Sequence, residues 1–336
     1  MQSVKLAKQL AWCALIEQGH TFDTARQQIP YFYSGSRGIH GAEFADKIQV
    51  EFTDLYKHNL LPNFENTFLD WLNTGTCQAK GLETFKPSFS AGVTQSIDSF
   101  VQFARNKKLC FLEGEYFYAP IVCNNLNINY KYIKDASTLH PGHAVIISLP
   151  FADTGSQHKR TKQILDACDE FNIPVMIDAC YWMLARDLEF DFNRHCIKSV
   201  AFSLSKAFPV SFGRIGVRYT RPGWHDGQTL HSDIGYNNRI SASIGLQIME
   251  HYNPSYLVHR HEQRYISLCN LLGLNQENNV LFATGNSDWH EYSRQTLAER
   301  YGLEDKQHYN NRIFLGGLLD SLNIDRLIGY ADKIQV

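Results

Sequence analysis

Ser203-Leu204-Ser205-Lys206 closes the apolar run Ser199 to Leu204, and Arg214-Ile215-Gly216, beginning eight positions beyond the lysine, opens the next run, Arg214 to Tyr219. A lysine where a buried strand ends has two readings. It snorkels to water along its aliphatic stem, or its ammonium is destabilised by apolar surroundings, which makes it a nucleophilic amine fit to form a Schiff base. Alone, the first is the ordinary case. Two hydroxyls just before the lysine and an arginine after it shift the balance. An amine for an aldehyde and an anion-binding set for a phosphate are what a phosphorylated aldehyde cofactor requires.

Working outward, β-type runs alternate with helical stretches from about residue 88. The runs are Leu109 to Leu112, Ile128 to Tyr132, Ala144 to Leu149, Pro174 to Ile177, Ser199 to Leu204 and Arg214 to Tyr219. Between them lie helices such as Gln95 to Arg105 and Thr161 to Phe171, the latter with Ile164, Leu165, Cys168 and Phe171 on one face. This alternation predicts an α/β fold with a mostly parallel sheet covered by helices, and such sheets bind ligands at the carboxyl ends of their strands. Before it, residues 1 to about 29 read as helical and end at Pro30, Tyr31 to Gly41 reads as a loop, and residues 42 to 75 read as helical with Phe44, Ile48, Phe52, Leu55 and Tyr56 on one side. After it, Ile240 to Tyr252 and Tyr256 to Leu274 read as helices, with Val280 to Thr284 and Arg312 to Leu315 as short strands of a final lobe. Ala45 to Val50 recurs as Ala331 to Val336, two copies too far apart to be a solenoid period.

The 336 residues include 32 basic and 34 acidic side chains, a net charge of -2, so no overall positive field collects nucleic acid or anionic membrane. Apolar runs are strand-length and cannot span a bilayer. The opening segment is broken by Lys8, Gln9 and Glu17, unlike a signal peptide. The 8 cysteines form no C-x-x-C pair, which reads as reduced thiols in the cytoplasm. His140, His143, His195 and the group His251, His259, His261 lack the spacing of a metal site.

A second stretch carries chemistry. Ile173 to Ile177 is a buried run that leads into Asp178-Ala179-Cys180-Tyr181. A carboxylate there is costly unless paired: with a backbone N–H or an arginine in the ordinary case, with a protonated ring nitrogen in the functional one. Tyr181 either packs on the sheet edge or turns its hydroxyl to the same ligand. Upstream, Ser90-Ala91-Gly92-Val93-Thr94-Gln95 precedes a helix. It is either a plain cap or a phosphate turn in which glycine admits the anion to free N–H groups.

On these residues the chain resembles the fold type I pyridoxal 5'-phosphate (PLP) enzymes, specifically the class I/II aminotransferases related to aspartate aminotransferase, from about Phe89 to Leu318. The resemblance implies a large domain with a mostly parallel sheet sandwiched by helices, plus a reduced small α+β lobe. It divides the chain into an N-terminal arm with part of the small lobe (1–45), the large PLP-binding domain (46–253), and a linking helix with a shortened small lobe (254–336). By it, Lys206 forms the Schiff base with the cofactor, Asp178 pairs with the pyridine nitrogen and Tyr181 meets the phenolic oxygen. Ser203, Ser205 and Arg214 hold the phosphate, with Gly92, Val93 and Thr94 at the helix end. Tyr116 in Leu112-Glu113-Gly114-Glu115-Tyr116 takes the place of the ring that stacks on the pyridine, with Phe117 or Tyr118 doing so if the register slips. Arg312 in Asn310 to Leu318 matches the arginine that grips a substrate carboxylate, for which a guanidinium fork is suited; its plain alternative is a surface ion pair. One departure stands out. Where the family has Asn-Pro-Thr-Gly, this chain has Ala152-Asp153-Thr154-Gly155, so an asparagine contact to the phenolic oxygen is missing, and Asp153 reaches that place only if the backbone shifts.

The resemblance implies transamination of an amino acid in a homodimer. Elimination, replacement or ring closure on the same scaffold is the alternative, favoured by the lost asparagine. A non-catalytic PLP-binding module is disfavoured, because it would not need Lys206, Asp178, Tyr181 and Arg214 together.

Overall fold

The computed structural model describes residues 2–35, 44, 47–294 and 310–320. Its strands are β1 (Gln78–Lys80), β2 (Lys86–Ser90), β3 (Lys108–Leu112), β4 (Tyr130–Ile133), β5 (His143–Ser148), β6 (Val175–Ala179), β7 (Glu189–Asp191), β8 (Ile197–Ser203), β9 (Gly216–Thr220), β10 (Asn275–Gln276), β11 (Phe282–Gly285) and β12 (Asn311–Phe314). Seven of them form one sheet in the order β2-β9-β8-β6-β5-β3-β4. The pairs β8–β6, β6–β5, β5–β3 and β3–β4 are parallel, and β9 runs antiparallel to both β8 and β2. This is the mostly parallel sheet read from the sequence. The central strands β5 and β6 are buried at every residue, as strands covered on both faces must be.

Side-chain alternation divides the core between the two faces. Val145, Ile147, Val175 and Ile177 join the larger cluster, while Ala144, Ile146 and Met176 join a second one with Ile97 and Phe100. Each such aliphatic side chain contributes roughly 1.5–3 kcal/mol by leaving water. The helices are α1 (Gln2–Glu17), α2 (Phe22–Phe32), α3 (Leu60–Leu72), α4 (Val93–Phe103), α5 (Tyr118–Asn125), α6 (Thr161–Glu170), α7 (Gly227–Asp233), α8 (Arg239–His251), α9 (Tyr256–Leu272) and α10 (Gly316–Leu319). Helix α4 presents Ile97 and Phe100 to the smaller cluster, and α6 presents Ile164, Leu165 and Cys168 to the larger. The antiparallel set β10-β11-β12 forms a separate small sheet, and α1 packs on α9 and α10.

Two local expectations are corrected. Helix α2 runs on to Phe32, two residues past Pro30, because a proline in the last turn removes one helical hydrogen bond without stopping the backbone. The aromatic stripe of 42–75 is not a buried helical face. Residues 48–50 are not helical, a 3-10 turn spans Phe52–Tyr56, and Phe52 and Tyr56 are exposed. Residues 36–41 of the predicted loop and the second hexapeptide copy, 331–336, lie outside the described residues.

Candidate active site

The carboxyl ends of β5, β6 and β8 and the amino end of α4 surround one cavity, with about 570 Å³ of space counted out to its mouth. Asp178, next to last in β6, lies on its wall and is only 5 % exposed. Its Oδ1 accepts the Cys180 N–H at 2.9 Å. Burial pushes the carboxyl up to about 6, against the opposing pull of that N–H and of the Lys206 charge. Lys206 lies three residues beyond the end of β8 and lines the same cavity. Amine and acid come together because β6 and β8 are hydrogen-bonded neighbours.

Part of the cavity lining suits an anion. Helix α4 starts after Gly92, whose φ of +75° and ψ of 170° suit glycine alone. A Cβ built there would lie 2.4 Å from Arg214 Nη2. The Arg214 Nη2 group donates to Thr94 Oγ1 at 2.9 Å, and Arg214 itself sits at a φ of +51°. Val93 and Thr94 line the wall, so the first N–H groups of an eleven-residue helix border the same space. Ser203 Oγ donates to the Ile215 carbonyl at 3.2 Å and accepts the Ser205 N–H at 3.2 Å. Ser205 Oγ is buried on the cavity wall with no hydrogen-bond partner among the described residues. An unsatisfied buried hydroxyl beside a guanidinium and a helix amino end is the signature of a missing anionic ligand. The residues fit a phosphorylated pyridine aldehyde: cationic and hydroxyl donors for the phosphate, with a buried acid and an amine on the same wall.

Of the three aromatics after β3, Tyr116 lines the cavity. The Tyr118 hydroxyl instead donates to Asp98 at 3.0 and 3.1 Å, and its ring lies parallel to that of Tyr116 at 6.0 Å. Tyr181 also lines the cavity and packs edge-on against Phe282. Arg312 stands one layer further out. It does not line the cavity, but its hydrogen-bonding neighbours Tyr181 and Ala152 do. Its guanidinium donates to the Ala152 and Gly35 carbonyls and lies 4.3 Å from the centre of the Phe282 ring. Burial, then the neighbouring Arg294, pulls it down to about 10. Asp153 does not make good the missing asparagine. Its Oδ2 accepts the Asn310 N–H at 2.6 Å and the Asn310 Nδ2 at 2.8 Å, and its Oδ1 lies 3.7 Å from Arg294.

Four participants had no role in the sequence reading. Ser148 and Cys180 line the cavity. Glu115 is buried against Ser148. Arg294 donates to the carbonyls of Gly114 and Glu115 at 2.7 and 2.8 Å, which fixes the backbone just before Tyr116. Glu115 stands three residues beyond β3, with Glu113 nearer the strand end, so the sequence does not single it out, and the pairing of Ser148 with Asp178 emerges only from the sheet register. Nothing local marks Arg294.

Superposition on solved structures pairs the whole architecture with a set of enzymes. The histidinol-phosphate aminotransferase of Clostridium acetobutylicum matches with a TM-score of 0.59 over 90% of this chain and 99% of that one, at 14% identity. The fold is that of the aminotransferases. A tyrosine aminotransferase from Leishmania infantum shares this aminotransferase fold at TM-score 0.58, covering 87% of this chain and 90% of its own, with 16% identity. So does a PLP-bound C-S lyase from Staphylococcus hominis, at TM-score 0.58, 92% and 85% coverage and 12% identity. No family model matches the chain, and neither does any curated protein sequence.

Proposed function

We propose that this chain is a PLP-dependent enzyme acting on an amino acid, with transamination as its reaction. One observation carries the reading: Lys206 and Asp178 share a cavity with Arg214, the turn at Gly92 that packs on it, and the unpartnered Ser205 hydroxyl. PLP, when bound, supplies an electron-withdrawing ring that stabilises negative charge developing at the carbon bearing the substrate amine.

The chain's residues divide the remaining work. Arg214, Ser205, Thr94 and the amino end of α4 would hold the phosphate. Lys206 would secure the aldehyde. Asp178 would hold a proton on the ring nitrogen, and a hydrogen bond to a charged group of this kind contributes roughly 1.5–3 kcal/mol. A bound cation at that point also draws Asp178 below its ligand-free value of about 6, so the pair is charged at neutral pH. Tyr116 and Tyr181, both on the cavity wall, would orient the ring and exclude water. Lys206 Nζ would take the proton from the substrate α-carbon and return it, acting as general base and then acid. Arg312 would receive the substrate carboxylate once that group displaces one of the backbone carbonyls it now holds, a charge-assisted exchange that favours the carboxylate.

The likeness to a C-S lyase and the methyl of Ala152, where an amide would stand, support elimination as the second reading. An amino-acid panel separates the two: transamination consumes the amine and yields a keto acid with the aminated cofactor, whereas elimination releases ammonia and leaves the cofactor unchanged. Protein supplied with PLP should turn yellow, and borohydride should fix the cofactor on the peptide containing Lys206; protein that takes up no PLP would end the proposal. A second copy of the chain is the partner suggested by the exposed Phe52, Tyr56 and Ile240, which line one groove. Sedimentation would show a dimer, and a monomer at high concentration would remove it.

A further inference from the structure

Glu115 is a buried acid beside the cavity to which the proposed reaction gives no task. It is 2 % exposed. Its Oε1 accepts the Ser148 N–H at 2.6 Å, its Oε2 accepts the Tyr116 N–H at 3.1 Å, and Ser148 Oγ lies 2.5 Å from Oε2 and 2.9 Å from Oε1. Ser148 Oγ also accepts the Ala152 N–H at 2.7 Å. Ser148 lines the cavity and lies in register with Asp178 on the adjacent strand.

A serine hydroxyl has one proton and two lone pairs. With Glu115 ionised, that proton is drawn to the carboxylate and Ser148 has no donor for the cavity. With Glu115 protonated, the acid donates to Ser148 Oγ. The two lone pairs are then filled, by Glu115 O–H and Ala152 N–H, and the serine's own proton is released for donation into the cavity. We propose that Glu115 and Ser148 form a proton-operated donor: taking up one proton at Glu115 turns the Ser148 hydroxyl toward a bound ligand. This rests on the PLP reading. There the phosphate, ring nitrogen and aldehyde are assigned to Arg214, Asp178 and Lys206, and the phenolic oxygen, which the resemblance gives to Tyr181, keeps a second lone pair for Ser148. The hydrogen bond replaces one that the Ala152 methyl cannot make.

The charged groups around Glu115 set when the donor operates. Burial pushes Glu115 up to about 7, the Ser148 and Tyr116 donors oppose this, and the charge of Asp178 adds to it. Lys206 acts on Asp178 from beyond. Arg294 holds the Glu115 carbonyl and is itself near Asp153. The donor therefore turns outward as pH falls through neutrality, and PLP is held more tightly on the acid side.

The test titrates PLP against wild type, Glu115→Gln and Ser148→Ala at pH 6 and pH 8, reading the absorbance of the bound cofactor. Glutamine accepts the Ser148 N–H and donates to Ser148 Oγ at either pH; it also gives up the Tyr116 N–H bond, a loss that is the same at both pH values and so cancels from the comparison. Wild type is expected to lose about tenfold more affinity between pH 6 and pH 8 than Glu115→Gln, the scale of one hydrogen bond to a charged oxygen. Ser148→Ala should bind about tenfold more weakly than wild type at pH 6 and show the small pH dependence of the glutamine variant. Equal pH dependence in wild type and Glu115→Gln would overturn the donor while leaving the cofactor reading intact. If no protein binds PLP at either pH, both fall. Should Glu115→Gln not fold, Ser148→Ala alone decides, and a pH dependence equal to wild type overturns the proposal.

Discussion

Replacing Gly92 by alanine tests the phosphate end of the cavity in two separable ways. The backbone at Gly92, with φ +75° and ψ 170°, lies in a region essentially closed to other residues, and forcing alanine into it costs about 1–3 kcal/mol. For a chain of this size that corresponds to a fall in Tm of about 1–4 °C in the ligand-free protein. The new methyl would also stand 2.4 Å from Arg214 Nη2 and 2.9 Å from its Cζ, so the guanidinium must leave its place and its bond to Thr94. Loss of a charge-assisted contact to a phosphate is worth about 1.5–3 kcal/mol, or roughly 10- to 100-fold in affinity. The assay is a PLP titration beside a thermal melt. Arg214→Ala should show the same affinity loss without the backbone penalty. Gly92→Ala added to Arg214→Ala should then cost little further affinity, because both changes remove one contact. A folded Gly92→Ala protein that melts lower yet binds PLP as tightly as wild type would refute the assignment of Arg214 and this turn to the phosphate.

Lys206→Ala should still bind PLP through its phosphate and ring contacts, yet show no borohydride-fixed cofactor by mass spectrometry and at least a hundredfold lower turnover, on the scale of a lost general base; retained turnover would remove Lys206 from the chemistry. Arg312→Lys keeps the charge and loses the fork, so KM for the amino acid should rise about tenfold or more with a smaller change in kcat; unaltered KM would place the substrate carboxylate elsewhere. Asp178 and Glu115 bind protons more readily in the ligand-free fold than in the unfolded chain, so stability falls as pH rises from about 4 to about 7, by about 3 kcal/mol for each group taken alone. Urea unfolding of the ligand-free protein across that window should show the decline, and Asp178→Asn with Glu115→Gln should flatten it; an equal slope in the double variant would contradict the burial argument.

How much of this was legible depended on whether the signal was local. Strands β5 and β6 are continuous apolar runs, and the sequence bounds lay within a residue or two of the observed ones because a strand covered on both faces has no polar interruption. Strand β2, Lys86–Ser90, carries no such run. It is an edge strand paired only to β9, so its sequence had nothing to announce it. The stripe Phe52, Leu55, Tyr56 failed for the opposite reason: helical spacing of aromatics reads as a core face, but in the described chain those rings stand outward on a 3-10 turn. Within the site, Lys206, Asp178, Tyr181, Ser203, Ser205 and Arg214 were legible because strand ends place them, and the sheet order brings those ends together. Arg312 was legible as a residue, while its place behind Tyr181 depends on how the small sheet docks. Arg294 was invisible, since a guanidinium that grips two carbonyls 180 and 179 positions away leaves no pattern near itself.

That long reach orders events on the ribosome. Once Thr220 has emerged, every strand of the seven-stranded sheet exists, together with the lysine, the acid and the phosphate turn. The tyrosine that would cover the vitamin's ring, however, sits on a loop whose two anchoring carbonyls have no guanidinium until residue 294 is translated. On the proposed reading, a nascent chain halted between those points would hold the acceptor for the aldehyde but not a settled cover over it, and tight capture of the vitamin would belong to the closing stage of synthesis.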